Sequence, residues 1–567
     1  MKRIHRRSVL KVAAAAAAGS LLSRAGRAWA APDASAQLVV RNGPILTMAD
    51  PQATAEAMAI RAGRIVAVGP NAAIARLIGA VTRVIDLAGK CVTPGLIDAH
   101  SHPVAFGQME RKFVILRPPK IDSFDALRAE LAAAARKTPK GEWIVGRGFD
   151  TFKEDRFPRR RELDVATPDH PVLIIHWGGQ FGVANTVALQ KANLLRGDAQ
   201  DPYGGKYLRD RDGVPDGVLM HYPAIYSVYH PQLSDQEEVE CAQWAFGEFA
   251  RLGVTCVHDN FCGARHARAY IQLERAGNLP CRVRVYPYVQ GLQHCQQAVQ
   301  NMRRYEGPLV RAQGIKLAID GYALMYDPPA QHKHLDMPMH PQPIFNEMIA
   351  AIHKAGWQAD VHAVGDRGVD WTLEAFARAA GSAAECRRRR HRIEHFPFRK
   401  ADTIKRAAEL DAPVCQQPLY VDIKADDFAQ KLGPRGPGLV ATMCPMRTFA
   451  REGVHVAYGA DVPAFPSHNP LDSLRCAVER ITRAGKSLDA SEALSTPEAI
   501  HAHTMGSAYA SFDEKELGSL EQGKLADFVI WDRDVRQART GRQVMALKAL
   551  ATFVGGKAVH TAAGAPA

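Results

Sequence analysis

The feature that most constrains this chain is a recurring unit in which a helical stretch leads into a short apolar strand that ends in a metal-binding or polar side chain. Leu96-Ile97-Asp98-Ala99-His100-Ser101-His102 is the first such strand, and the two-residue period puts its imidazoles, at i and i+2, on one face. Later strands end at His258-Asp259, Asp320, His362, Glu394-His395, Gln416-Gln417 and Asp461. A (β/α)8 barrel gathers such strand ends at one mouth, because its strands run parallel and their carboxyl ends carry the reacting groups. The helices are legible too. Phe345, Met348, Ile349 and Ile352 fall at i, i+3, i+4 and i+7, and Gly356 stops the helix just before the strand to His362. Residues 238–252 before Gly253 and 446–452 before Gly453 repeat the arrangement.

The expected fold class is therefore α/β: a TIM-like (β/α)8 barrel over residues 93–506, with a long insertion at about 103–240 lying over its mouth. Short strands with turn punctuation occupy both ends of the chain. Leu38-Val39-Val40, Pro44 to Thr47, Ala57 to Ile60 and Arg64 to Val68 come first; Ala526 to Trp531, Thr552 to Val554 and Lys557 to Val559 come last. Neither set is large enough to stand alone, so residues 32–92 and 507–567 are expected to form one small composite β-sandwich domain.

The first 31 residues read as a targeting segment. Lys2, Arg3, Arg6 and Arg7 precede an apolar run from Val12 to Leu22, and Ala28-Trp29-Ala30 offers a small-x-small cleavage signal. The run is shorter than the ~20 apolar residues of a membrane span, so no stable anchor is expected. Arg6-Arg7-Ser8-Val9-Leu10-Lys11 resembles a twin-arginine signal, which implies the twin-arginine export machinery as a partner and export in the folded state to the periplasm or medium. Removing this segment reduces the net charge from +13 to +6, with 65 basic against 59 acidic residues. No basic stripe interleaves with aromatics, and Arg387 to Arg390 reads as a solvated face rather than a nucleic-acid surface. The ten cysteines include no C-x-x-C pair, which excludes zinc ribbons and thioredoxin-type chemistry.

His100, His102, His362, His395 and Asp461 stand at the ends of four strands in the order a barrel metal site requires. Imidazole and carboxylate suit zinc and related divalent ions, and a hydrolytic site needs such ligands plus an open position for water. His258, alone at its strand end, reads as structural. Asp461 has a carboxylate able to hold both metal and proton.

Pro94-Gly95-Leu96-Ile97-Asp98-Ala99-His100-Ser101-His102 and Gly518-Ser519-Leu520-Glu521-Gln522-Gly523-Lys524-Leu525-Ala526-Asp527 resemble motifs of the amidohydrolase superfamily. His362-Ala363-Val364-Gly365-Asp366-Arg367 narrows the resemblance to the amidohydrolase 3 branch, that of N-substituted formamide deformylase-like hydrolases, and Gly146-Arg147-Gly148-Phe149-Asp150 also carries it. The resemblance implies a hydrolase of non-peptide, amide-type C–N bonds in small molecules. It implies one or two divalent ions, zinc fitting best, held by His100, His102, Lys316, His362, His395 and Asp461, with Lys316 carbamylated as a bridge; an unmodified Lys316 paired with Asp320 or another carboxylate is the alternative. Asp461 would be the proton shuttle. In a one-metal version His395 orients the water instead, as in deaminases of the superfamily; a cyclic amide or lactone hydrolase and a non-catalytic binding protein on the same barrel are further alternatives. A small-molecule substrate and a homo-oligomer complete the expectation. The chain departs from its relatives at Gln180 and His221, where a histidine and a glutamate are usual, and in residues 322–326.

Overall fold

The computed structural model describes residues 35–118, 120–149, 156–321, 323–328, 338–398 and 400–566. The export segment expected over residues 1–31 lies outside these, as do Asp150 and Tyr322 of the segments above. No helix among the described residues is long and apolar enough to cross a membrane.

Eight strands carry the candidate site: β1 (Leu96–Ser101), β2 (Val254–Cys262), β3 (Arg282–Pro287), β4 (Gly314–Ala318), β5 (Gln358–Ala363), β6 (Arg392–His395), β7 (Val414–Gln416) and β8 (Val456–Tyr458). All their pairings are parallel. β1, β2 and β3 lie side by side with the short strand Val310–Ala312 beyond β3, and β4 to β8 follow one another in a second sheet. The two sheets meet at both edges. Tyr288 and Lys316 form a parallel bridge between β3 and β4. Beyond β8, Asp461 N–H donates to His100 O at 2.6 Å, and His102 N–H donates to Val462 O at 2.9 Å. This is a mixed α/β fold whose parallel strands are consistent with a TIM-type barrel.

The connecting helices follow from their sequences. Gln342–Lys354 buries Phe345, Met348, Ile349 and Ile352, the stripe expected from the 3.6 period. Burial of four such side chains is worth roughly 1.5–3 kcal/mol each. Asp235–Arg251 opens on a capping box in which Glu237 N–H donates to Ser234 Oγ and Ser234 N–H to Glu237 Oε2. Gly253 and Gly356 end helices at φ of 87° and 81°, a left-handed turn that lets the next strand start at once.

The insertion is a sheet of its own, ordered Lys206–Arg209, Pro215–Met220, Phe181–Ala184, Val172–His176, Ile144–Phe149 and Val114–Ile115. Strands from both chain ends occupy a further sheet: Phe528–Trp531 pairs with Cys91–Pro94, which pairs with Leu38–Leu46. Leu38–Leu46 pairs with strands on both of its edges in this eight-stranded hydrogen-bonded path. The two short strands read at Leu38 to Val40 and Pro44 to Thr47 are one strand, bulged between Arg41 and Ile45, with Asn42 at φ 65°. All ten cysteines are buried and free.

This sheet is tied to the parallel strands by a buried bidentate pair, Arg282 Nε to Asp527 Oδ2 at 2.7 Å and Nη2 to Oδ1 at 3.0 Å. Asp527→Ala strands the Arg282 charge, so stability is expected to fall by ~3–5 kcal/mol. Thermal melting of the variant checks this; an unchanged melting temperature refutes it.

Candidate metal centre

His100, His102, Lys316, His362, His395 and Asp461, spread over 362 positions of the chain, line one cavity. Single ligand atoms of His100, His395 and Asp461 lie within 4.8 Å of one another. Asp461 Oδ1 is 3.1 Å from His102 Nε2 and 3.6 Å from His100 Nε2. His395 Nε2 faces His362 Nδ1 at 2.8 Å. The strand ends bend to achieve this: His395 has φ 79° and Asp461 φ 54°, both in the left-handed region.

Outer partners orient the rings. His100 Nδ1 hydrogen-bonds Glu394 Oε2, which leaves Nε2 turned to Asp461. His395 Nδ1 donates to Gln417 Oε1 at 2.6 Å, so its Nε2 is the lone-pair nitrogen and accepts from His362 Nδ1. Such second partners fix tautomer and direction in metal-binding histidines. Burial, and then the Lys316 charge, push His100 down to about 3. His362 lies well below the usual range, through burial and then His395; His395 is lowered by burial. Burial alone would raise Asp461, but His100, His102 and His395 outweigh it and hold the carboxyl at about 2. His102 goes the other way: burial would lower it, but the Asp259 and Asp461 carboxylates outweigh burial and raise it. Neutral imidazoles at His100, His362 and His395 beside an ionised Asp461 are the donor forms a divalent cation takes, and a cation would displace the proton that the carboxylates favour on His102. Two buried ring nitrogens, His102 Nδ1 and His362 Nε2, make no regular hydrogen bond among the described residues and face the carboxylates of Asp259 at 3.9 Å and Asp320 at 3.4 Å. The site residues therefore fit a metal.

Lys316 Nζ donates to Asp360 Oδ1 at 3.1 Å. Asp320, named above as a possible partner, is not the one. Lys316 and Asp360 are register partners on β4 and β5, whereas Asp320 lies past the end of β4 and accepts from Val364 N–H and Gly365 N–H. His258 stands apart from the ligand group, its Nδ1 accepting from Arg392 Nη1 at 3.1 Å. Gln180 Nε2 donates to Tyr222 Oη at 3.3 Å, and His221 packs on Gly321 so tightly that an added Cβ would lie 2.0 Å from its ring.

Reading the sequence for ligands missed Glu394, Arg392 and Asp360 as functional residues. Arg392 clamps Glu394 (Nε to Oε1, 2.6 Å), and Asn260 Nδ2 donates to Asp360 Oδ2. The available signal was opposite charges at i and i+2 inside an apolar strand, which must be paired if buried.

A profile of the amidohydrolase family matches residues 83–560. The chain belongs to the amidohydrolase family. Among curated proteins this amidohydrolase is 30% identical over 561 residues to protein LONG AFTER FAR-RED 3 of Arabidopsis thaliana, covering 93% of this chain and 92% of that one. It is 26% identical over 543 residues to N-substituted formamide deformylase of Arthrobacter pascens, covering 92% and 97%. Among solved structures, an uncharacterized metal-dependent hydrolase from Pyrococcus horikoshii shares the fold at a TM-score of 0.69 and 23% identity, over 88% of this chain and 98% of that one. Membership makes the chain an enzyme, a hydrolase acting on carbon–nitrogen bonds.

Proposed function

We propose that this amidohydrolase is a metal-dependent hydrolase that cleaves a non-peptide, amide-type C–N bond of a small molecule. The observation that carries the reading is the convergence of His100, His102, Lys316, His362, His395 and Asp461 on one cavity. The eight parallel strands are read as one closed barrel over residues 93–506, with residues 32–92 and 507–567 as the composite β domain.

His100, His102, His362, His395 and Asp461 would hold the metal, with Lys316 as a further ligand if carbamylated. When bound, a divalent ion, zinc by this imidazole-rich donor set, supplies Lewis-acid polarisation of a carbonyl and acidifies a water toward neutral pH. The chain's own groups do the rest. Asp461, held ionised, accepts the proton of the attacking water and passes it to the leaving nitrogen. Glu394 and Gln417 keep the His100 and His395 rings aimed into the cavity.

The Lys316–Asp360 ion pair favours a second reading with a single ion, in which Lys316 stays an ammonium and His395 orients the water. Metal stoichiometry by elemental analysis, with intact mass for an added carbon dioxide, separates the two. The reading as a whole is tested by loading chelator-stripped protein with zinc and assaying N-acyl amines, N-formyl amines and cyclic amides. Turnover that disappears with the metal and returns on reloading is expected; turnover indifferent to chelation sinks the proposal.

Gln417→Leu removes the acceptor of His395 Nδ1 while conserving bulk. Metal affinity should fall ~10–100-fold, read as metal retained against a competing chelator. Equal retention by variant and parent would show that Gln417 does not position His395. Twin-arginine export is proposed with this function; cell fractionation after replacing Arg6 and Arg7 by lysine tests it.

A further inference from the structure

At the amino ends of the parallel strands a cleft of about 280 Å³ is lined by Arg304, Arg311, Arg388 and Arg389, with Glu306 the one acid among its lining residues. Gln358 at the start of β5 and Gln313 just before β4 also line it, whereas His362 of the metal cavity lies four residues further along β5, roughly 13 Å at the rise of a strand. The basic run Arg387 to Arg390, read from the sequence as a solvated face, thus supplies two of the four arginines. Part of this has a structural cause. Arg388 and Arg389 stand in the last turn of the helix Ala383–Arg389, where cations offset the helix dipole. Arg304 and Arg311 come from the segment between β3 and β4, and that cause does not reach them.

Two of the guanidiniums converge. Arg304 Nη2 donates to Gly356 O at 2.8 Å, and Arg389 Nη1 donates to the same oxygen at 3.5 Å. Arg304 is held flat over the Trp357 ring, its Cζ 4.4 Å from the centroid. The nearby carboxylates are shared: Asp513 pairs with both Arg311 and Arg284, and Glu385 with both Arg388 and Arg389, so the cleft keeps an excess of positive charge. Burial lowers the Arg389 guanidinium, and the Arg388 and Arg304 charges lower it further against the pull of Glu385. An anion between these cations would relieve their repulsion. A phosphate dianion has three terminal oxygens and two charges, enough for two guanidinium forks, where a carboxylate has two oxygens and one charge. Ala312 and Phe512 give the cleft an apolar side.

We infer that this cleft binds a small phosphomonoester, its phosphate bridging Arg304 and Arg389 and its organic body lying against Ala312 and Phe512. The site is separate from the metal centre and stands whether or not the hydrolase reading does.

The test is calorimetry on zinc-loaded protein with phenyl phosphate, with phenyl sulfate, which has a similar shape and one charge, and with phenol. Phenyl phosphate should bind ~10-fold more tightly than phenyl sulfate, phenol should not bind, and added salt should weaken the phosphate. Arg304→Gln and Arg389→Gln should each weaken phenyl phosphate by ~10–100-fold, with metal content and melting temperature kept. Glu306→Gln, which removes the one acid of the lining, should tighten it several-fold, a gain that a damaged fold does not produce. Phenyl phosphate binding that survives both arginine substitutions would place the anion elsewhere, at the metal centre for instance, and overturn the inference. Equal affinity for phosphate and sulfate esters, or no effect of Glu306→Gln, would also overturn it. A lipid surface is the other source of the same phosphate group: cosedimentation with phosphatidic acid vesicles in place of phenyl phosphate binding would overturn the assignment to a free ligand, and none is expected.

Discussion

Truncating His100 and His102 together to alanine is expected to strip the metal and reduce amide hydrolysis to the background rate. Two of the imidazoles lining the cavity come from this one strand, and each is tied to Asp461. Zinc–nitrogen bonds of ~2.0–2.1 Å leave little slack, so His362 and His395 on β5 and β6 cannot move over to replace them. The truncation also frees Glu394 from its His100 contact, although Arg392 still clamps it and keeps the strand paired. Metal content by elemental analysis and turnover on a reactive amide should therefore fall together, with the protein still folded by circular dichroism. A double variant that keeps its metal would place the binding site elsewhere.

The sequence was most informative where a physical period governed it. The stripe Phe345, Met348, Ile349, Ile352 is buried because a 3.6-residue repeat can face one way, and the glycine stops at Gly253 and Gly356 fall where helices turn into strands. His100 and His102 were legible for the same kind of reason. His395 was legible only by its chemistry. It follows Glu394, so strand alternation alone would point the two in opposite directions; the left-handed φ at His395 ends the extended run and turns the ring to His362. No periodicity announces such a bend. Partners were harder still. Lys316 meets Asp360 rather than Asp320 because β4 and β5 pair in one particular register, a property of two distant segments at once. Arg147 lies in the insertion where the strand-to-helix rhythm loosens, and its place in the wall of the metal cavity follows from the insertion's own sheet rather than from the period of the parallel strands. The centre of the end sheet was likewise hidden, since the bulge at Asn42 makes one strand look like two.

Asp461→Asn is the substitution that separates holding the metal from moving the proton. Asp461 sits at φ 54°, where asparagine is tolerated as well as aspartate, so the backbone after β8 should keep its course and its 2.6 Å hydrogen bond to His100 O. The amide retains one oxygen toward His100 and His102 but has no charge and cannot accept the water proton. Turnover should drop by ~10²–10⁴ while protein yield and bound metal change much less. An alanine at the same position would confuse the result, because it loses the oxygen and strains a left-handed residue together. The contrast with the histidine pair is the decisive comparison: one variant inactive without metal, the other inactive with it. Near-normal turnover in Asp461→Asn would remove this carboxylate from the proton path and leave it as a ligand alone, with a different base to be sought among the groups facing the cavity.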